Sequence, residues 1–326
     1  MFYLGIDISK DKFDVALLDG KKGKHKVFKN NEDGFERLLE WLKENKVDSS
    51  LHSCMESTGR YGEKLAKFLF KAGHKISIVN PACIKAYAQS QLKRVKTDKV
   101  DALLIANFCR INEPKAWIPP SEEIEELTEL TRRISHLEKL KTSENNHLKS
   151  GISSQSAIKS AKTVIKTLEE EIKKLKKRIS EIIDSDNDLK KKKELLKTIP
   201  GIGDRTAEVI LSETKGGVES FESARQLAAY AGITPQIKES GSSVRGKGMI
   251  TRMGNERLRT GLYMSAIVAK KCNSSVKVFC ERLSEKGKKG KQVICAGIRK
   301  LLHIIYGVLK SGKPFQENYQ NLAFCS

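Results

Sequence analysis

The amino-acid sequence specifies an α/β protein: a mixed sheet with flanking helices, then a helical coiled-coil segment, then a mainly α carboxyl-terminal domain. Three observations carry that expectation. Strand-like and helix-like apolar patterns alternate as far as position 110, beginning with period-two alternation near the amino terminus. Two long polar stretches between 121 and 193 place apolar residues at three- and four-residue steps. From Leu195 onward the composition changes to helical segments separated by Gly- and Pro-marked breaks.

Phe2 to Leu18 reads as two strands, because apolar residues crowd FYLGIDIS and alternate through FDVALLD, and Asp19-Gly20 signals a turn. KHKVFKN adds a third strand. GFERLLEWLKEN has helical spacing, LHSCMES has the composition of a buried strand, YGEKLAKFLFKAG is an amphipathic helix ending at Gly73, and KISIVN is another strand. Thr97 to Cys109 is a further helix, closed by NEP and the Pro119-Pro120 break. These elements make a first domain of residues 1–120.

In the segment 121–193, Leu127, Leu130, Ile134 and Leu137 form one seam. Ile165, Leu168, Ile172, Leu175, Ile179 and Ile182 form another, with KSGISSQS as a hairpin turn between them. The heptads are too few for a rod. They suit a short dimerising coiled coil or a helical pair packed on its own domain. Residues 194–326 form the last domain, opening with LLKTIPGIGDRTAEVILSE and FESARQLAAYAGITP.

At 326 residues with 39% hydrophobic composition, the chain can bury a core in more than one domain. The 61 Lys and Arg against 40 Asp and Glu give a net charge of +21, spread through the sequence, which attracts polyanions and nucleic acid first among them. No apolar run is expected to span a membrane, and MFYLGIDISKDKFD lacks a signal-peptide layout, so a cytoplasmic protein is expected. Seven cysteines without a Cys-x-x-Cys pair argue against a disulfide framework and a structural zinc.

Asp7 lies mid-strand in LGIDIS, where an unpaired carboxylate is costly to bury. Glu56 sits at the exit of another strand, before Gly59. Asp98 and Asp101, in KTDKVDALLIA, are three apart on a helix and share a face. Taken singly, Asp98 could be no more than the helix cap. Together, four convergent carboxylates need a cation, and hard oxygen donors suit Mg²⁺ or Mn²⁺.

In the basic second half, IPGIGDRTAEVI resembles a helix-hairpin-helix, whose Gly201 and Gly203 let backbone amides approach a phosphate. Lys288, Lys289 and Lys291 crowd SEKGKKGKQVI. KESGSSVRGKG, Lys238 to Gly248, surrounds its serines with Lys238, Arg245 and Lys247. Composition alone leaves open a phosphate cradle or a loop that delivers a nucleophile. A serine hydroxyl acts as one only when a base or metal activates it.

GIDISKDKFDVALLD, the MESTGRYGE turn, VNPACIKAYAQS and KRVKTDKVDALLIANF resemble the RuvC-like, RNase H-type amino-terminal domain of the DEDD transposases of bacterial insertion sequences. The carboxyl-terminal half resembles the second domain of the same family. The resemblance implies an RNase H-like fold, a metal-binding quartet of Asp7, Glu56, Asp98 and Asp101, and Ser240 as nucleophile, the first serine of Glu-Ser-Gly-Ser-Ser. It further implies a recombinase guided by a structured bridge RNA that pairs with donor and target DNA. Its reaction would pass through a covalent phosphoserine intermediate, and its working form would be a homo-oligomer, a dimer assembling to a tetramer. A metal-dependent junction-resolving endonuclease using water shares the quartet. A non-catalytic nucleic-acid-binding scaffold is the remaining alternative.

Overall fold

The computed structural model describes residues 1–20, 22–47, 51–57, 59–92, 97–236, 239–240, 244–245, 249–251 and 253–317, with backbone alone at 22, 239, 240, 244 and 245. The chain divides into two compact units, Met1–Pro119 and Pro120–Ser326. The helical segment after Pro120 thus clusters with the carboxyl-terminal helices.

The first unit is a five-stranded mixed sheet. Strands β1 (Phe2–Ile8), β2 (Lys12–Asp19) and β3 (Lys22–Lys29) form an antiparallel meander, and β4 (Leu51–Glu56) and β5 (Lys75–Val79) add in parallel beyond β1, giving the order β3-β2-β1-β4-β5. This arrangement agrees with the RNase H-like expectation. Period-two alternation decides the two faces. Leu4, Ile6, Phe13, Val15, Leu17 and Met55 point to one face, where α1 (Glu32–Glu44) and α2 (Glu63–Lys71) cover them with Phe35, Leu38, Leu65 and Leu69. The opposite face carries Ala16, Leu18, Cys54 and Val79 and is covered by α3 (Pro81–Ser90) and α4 (Asp98–Asn112) through Ile84, Leu104, Ile105 and Phe108.

Helix α4 starts at Thr97, whose hydroxyl accepts from the Val100 amide at 3.3 Å, so Thr97 and not Asp98 is the cap. Asp98 and Asp101 fall in the first turn, where the helix dipole favours negative charge. At Gly5 the helix lies so close to β1 that a Cβ would collide with the Ala102 carbonyl and the Ala106 amide. A glycine there sets the depth at which α4 rests on the sheet.

In the second unit, α5 (Glu122–Lys149) and α6 (Gln155–Ser185) pack on one another through the expected seam residues Leu127, Ile134, Leu137, Ile172, Ile179 and Ile182. Their core is continuous with that of α7 (Asn187–Lys197), α8 (Asp204–Glu213), α9 (Ala224–Tyr230), α10 (Glu256–Cys272), α11 (Ser274–Glu285) and α12 (Lys291–Ser311).

The expectation that no apolar run reaches membrane-spanning length needs correction. By length and composition α12, with 21 residues, is such a helix. Its apolar side, including Ile298, Leu301, Leu302 and Ile305, packs in the core of this unit, which accounts for the composition without a bilayer.

Candidate functional site

The sheet register brings the acidic residues to one end of one face. Asp7 follows Tyr3 and Gly5 on the α4 side of β1. Tyr3 packs among Leu104, Ile105 and Phe108, and Gly5 meets Ala102 and Ala106, so β1 runs antiparallel to α4 and Asp7 lies toward the helix's first turn. Glu56 continues from Cys54 on the same face of β4, one step beyond the last paired residues, Ile6 and Met55. Asp98 and Asp101 are on the helix start itself. Three elements thus deliver the four predicted carboxylates to a common end of the sheet.

Three further side chains belong to this neighbourhood. Asp14 is the register partner of Asp7 across β1 and β2 and is 4% exposed. His25 Nε2 lies 2.8 Å from its Oδ1. Lys12 donates from Nζ to Asp98 Oδ2 at 2.7 Å and to Asp14 Oδ2 at 3.3 Å. These contacts, with Asp98 the larger cause and Asp14 next, push the Lys12 ammonium above its ordinary value.

A divalent cation is implied by the carboxylate set, and the fit is uneven. Donor type suits it: all four groups are hard oxygen donors, and the carboxylate of half-buried Asp101 makes no hydrogen bond or ion pair among the described residues. Closure does not, because among the described residues no three His, Cys, Asp or Glu side chains are gathered so as to hold a metal ion. Lys12 supplies the positive charge beside Asp98. The side chains of both are half exposed, 50% and 57%.

The serine loop springs from the second unit between α9 and α10. Its root is β6 (Pro235–Gln236) paired with β9 (Met249–Ile250), and above it β7 (Glu239–Ser240) pairs with β8 (Val244–Arg245), Ser240 opposite Val244 and Glu239 opposite Arg245. Ser240 therefore lies in a short antiparallel ladder. Lys238, Ser242, Ser243 and Lys247 lie outside the described residues.

Below the ladder the loop is clamped by a partly buried network, centred on the buried Glu213, that sequence reasoning missed. Arg132 of α5 donates to both carboxylate oxygens of Glu213, at 2.9 and 3.0 Å, and Asn255 Nδ2 donates to Glu213 Oε2 at 2.7 Å. The Asn255 amide donates to Tyr230 O at 2.6 Å, and Tyr230 Oη donates to Glu213 O at 2.9 Å. Arg259 donates to Ala231 O at 2.8 Å. Gly254, at φ +144°, passes so near the Tyr230 carbonyl that no side chain could stand there. Both ends of the loop are thereby tied to α5 and α8. Burial raises the Glu213 carboxyl, but hydrogen bonds from Arg132 and Asn255 outweigh it and hold the group below its ordinary value.

Of the predicted phosphate-contacting glycines, Gly201, at φ +101°, abuts Ala269 of α10, and the Ile202 amide is taken by Ile199 O at 3.0 Å. Gly203 is open, with nothing within 4 Å of where a Cβ would stand, and precedes α8 without a side-chain cap. Lys288 and Lys289 precede α12 and Lys291 begins it, all exposed.

Comparison with known proteins adds an independent finding. Residues 4–154 match the model of a family described as Transposase, and residues 193–281 match that of the Transposase IS116/IS110/IS902 family. The chain is 36% identical to the pilin gene-inverting protein of Moraxella bovis over 97% of its own length and 98% of that protein's. The pilin gene-inverting protein of Moraxella lacunata matches at 36% over the same shares, 97% and 98%. The insertion element IS110 uncharacterized 43.6 kDa protein of Streptomyces coelicolor is 31% identical over 37% of this chain and 30% of that protein.

Proposed function

We propose that this chain, which belongs to the IS110 family of transposases and is a DNA transposase or recombinase, cuts and exchanges strands through a covalent phosphoserine at Ser240, with Asp7, Glu56, Asp98 and Asp101 as its metal-binding quartet. The observation that supports this reading is the delivery of four carboxylates by β1, β4 and the start of α4 to one end of one sheet face. Mg²⁺ or Mn²⁺, when bound there, would neutralise phosphate charge and lower the pKa of a coordinated hydroxyl.

The chain's own residues do the rest. Strand register fixes Asp7 and Glu56, the Thr97 cap fixes the helix that carries Asp98 and Asp101, and Lys12 holds one oxygen of Asp98 until replaced there by a metal ion. Ser240 Oγ forms a bond to a DNA phosphorus as the bond from that phosphorus to a strand oxygen breaks. The serine proton passes to a base and the departing oxygen takes up a proton. Attack by the hydroxyl of the exchanged strand reverses these steps and frees the serine. One phosphoester replaces another, so no ATP is consumed. Arg245 and Lys247 counter the charge of the crowded phosphate.

Choice of donor and target DNA by a structured RNA is part of the same reading, supported by the +21 charge in a protein whose sequence shows no base-reading motif. So is a homo-oligomer, since exchange requires several synchronised cuts. The pilin gene-inverting relatives are named for a rearrangement of this kind.

A substrate nicked so that the free end cannot religate tests the reading. Wild-type protein should yield an SDS-resistant DNA adduct mapping to Ser240, while Ser240→Ala should bind DNA and give none. Water-derived products without any covalent species would replace the proposal with a hydrolytic resolvase.

A further inference from the structure

Ion pairs cover many cations of the second unit: Arg132 with Glu213, Arg178 with Glu126, Lys192 with Asp188 and Glu219, Lys193 with Glu208, Lys197 with Glu194. The outward side of α12 is different. Arg299, Lys300 and His303 on that helix, Arg282 on α11 and Arg225 on α9 make no ion pair with a carboxylate among the described residues.

Positions 299 and 303, and 300 and 303, are one helical turn apart, so the three form a stripe. Leu301, Leu302 and Ile305 meanwhile face the core. The stripe is half-buried. Burial, and then the charge of Arg282, push the Lys300 ammonium below its ordinary value. Burial, then Arg299, Lys300 and Arg225, do the same to His303, whose Nε2 is buried with no hydrogen-bond partner among the described residues. Along the helix the relief is low, with Ala296 one turn before Lys300 and Gly307 one turn after His303, where the missing side chain faces open space.

A fully solvated lysine face would explain none of this. Arg299 and Lys300 are half-buried like charges without acidic partners among the described residues, an arrangement unfavourable for the protein alone through both desolvation and repulsion. A polyanion relieves both. The cations are spread over three helices in a row, which suits repeated phosphates along a backbone better than a single small anion.

We propose that the α12 stripe of Arg299, Lys300 and His303, flanked by Arg282 and Arg225, is a binding site for the phosphodiester backbone of duplex DNA. The site is separate from the strand-cutting chemistry, so a cleavage-dead Asp98→Asn protein should retain it.

The test is fluorescence anisotropy with a random-sequence duplex of about 30 base pairs over a series of salt concentrations. Each phosphate contact contributes about 0.9 to the slope of log affinity against log salt. The double substitution Arg299→Gln, Lys300→Gln should therefore lower the slope by about 2 and the affinity at moderate salt by about tenfold or more. Lys190→Gln, Lys191→Gln on α7, which removes the same charge elsewhere, should change the slope less.

An unchanged slope in the α12 variant, or an equal fall in the α7 variant, overturns the site. Loss confined to a structured RNA of the same length overturns the assignment to DNA. Because α12 is a core helix, wild-type protein provides a second measurement: duplex DNA should protect Lys300 from lysine acetylation read by mass spectrometry, and an unprotected Lys300 also overturns the site.

Discussion

Asp14 in the first unit and Glu213 in the second are both nearly buried carboxylates held by cations, 4% and 3% exposed, yet their partners differ in kind. Lys12 is a point charge on a flexible, half-exposed stem, shared between Asp14 and Asp98, with His25 on the other oxygen of Asp14. Arg132 meets Glu213 as a planar fork on both oxygens, and Asn255 adds a third contact. An ammonium can swing away and be replaced by another cation, whereas a bidentate guanidinium in a buried site has nowhere to go without leaving a charge uncompensated. The acidic end is thus built for exchange and the loop root for permanence.

The contrast can be broken from either side. The largest effect is expected from Asp98→Asn, which keeps volume and removes charge: strand cleavage should fall to background while the far-ultraviolet dichroism and melting temperature stay near wild type. A melting temperature that drops along with activity would make Asp98 a structural residue and erase the distinction. Next is Glu213→Ala, which removes the carboxylate that Arg132 and Asn255 share; with the Arg132 side chain one-third exposed, the loss should cost about 1–3 kcal/mol, measurable by urea denaturation.

Acid provides a gentler probe of the same pair. The folded-state carboxyl of Glu213 sits below its ordinary value of 4.5, so its ionised form stabilises the fold above that pH and the contribution is lost as pH falls through the lower folded value. Glu213→Gln should flatten the acid limb of the stability curve below about pH 4.5. The smallest effect is expected from Lys12→Met. Removing a competing cation should raise Mn²⁺ affinity several-fold by titration calorimetry with little change in melting temperature, and a weakened affinity would show that Lys12 helps to assemble the donor set.

The strands of the first unit were legible from alternation in β2 and from apolar runs of strand length in β1, β4 and β5, and β1 to β5 fall where those patterns place them. Helix α3 was not, since Ile84 is the residue it buries among mostly solvent-facing neighbours and no apolar period marks it. Its signals are local: Asn80 caps the Ala82 amide at 2.9 Å, with Pro81 in the first turn. The four acidic positions could be named from motif and spacing, but Lys12, Asp14 and His25 could not be joined to them without register. Asp14 had a readable trace, as a lone carboxylate in a buried strand whose hairpin pairing sets it across from Asp7. The serine loop resisted for another reason: two-residue strands have no period, and the network that holds them runs through residues as distant as Arg132 and Asn255.

Helix α12 has a consequence in time. Of the described helices it leaves the ribosome last, and it brings Ile298, Leu301, Leu302 and Ile305 to a core that α9 and α10 share. The serine loop is translated earlier, but the two helices at its root lack part of their packing until α12 emerges. A nascent chain, or one cut short by a premature stop, therefore carries Ser240, the proposed nucleophile, on a loop whose root lacks this packing. Under the proposed mechanism a chain would complete the support of that serine only when nearly all of the described protein has been made, so interrupted translation would yield fragments without a packed loop root.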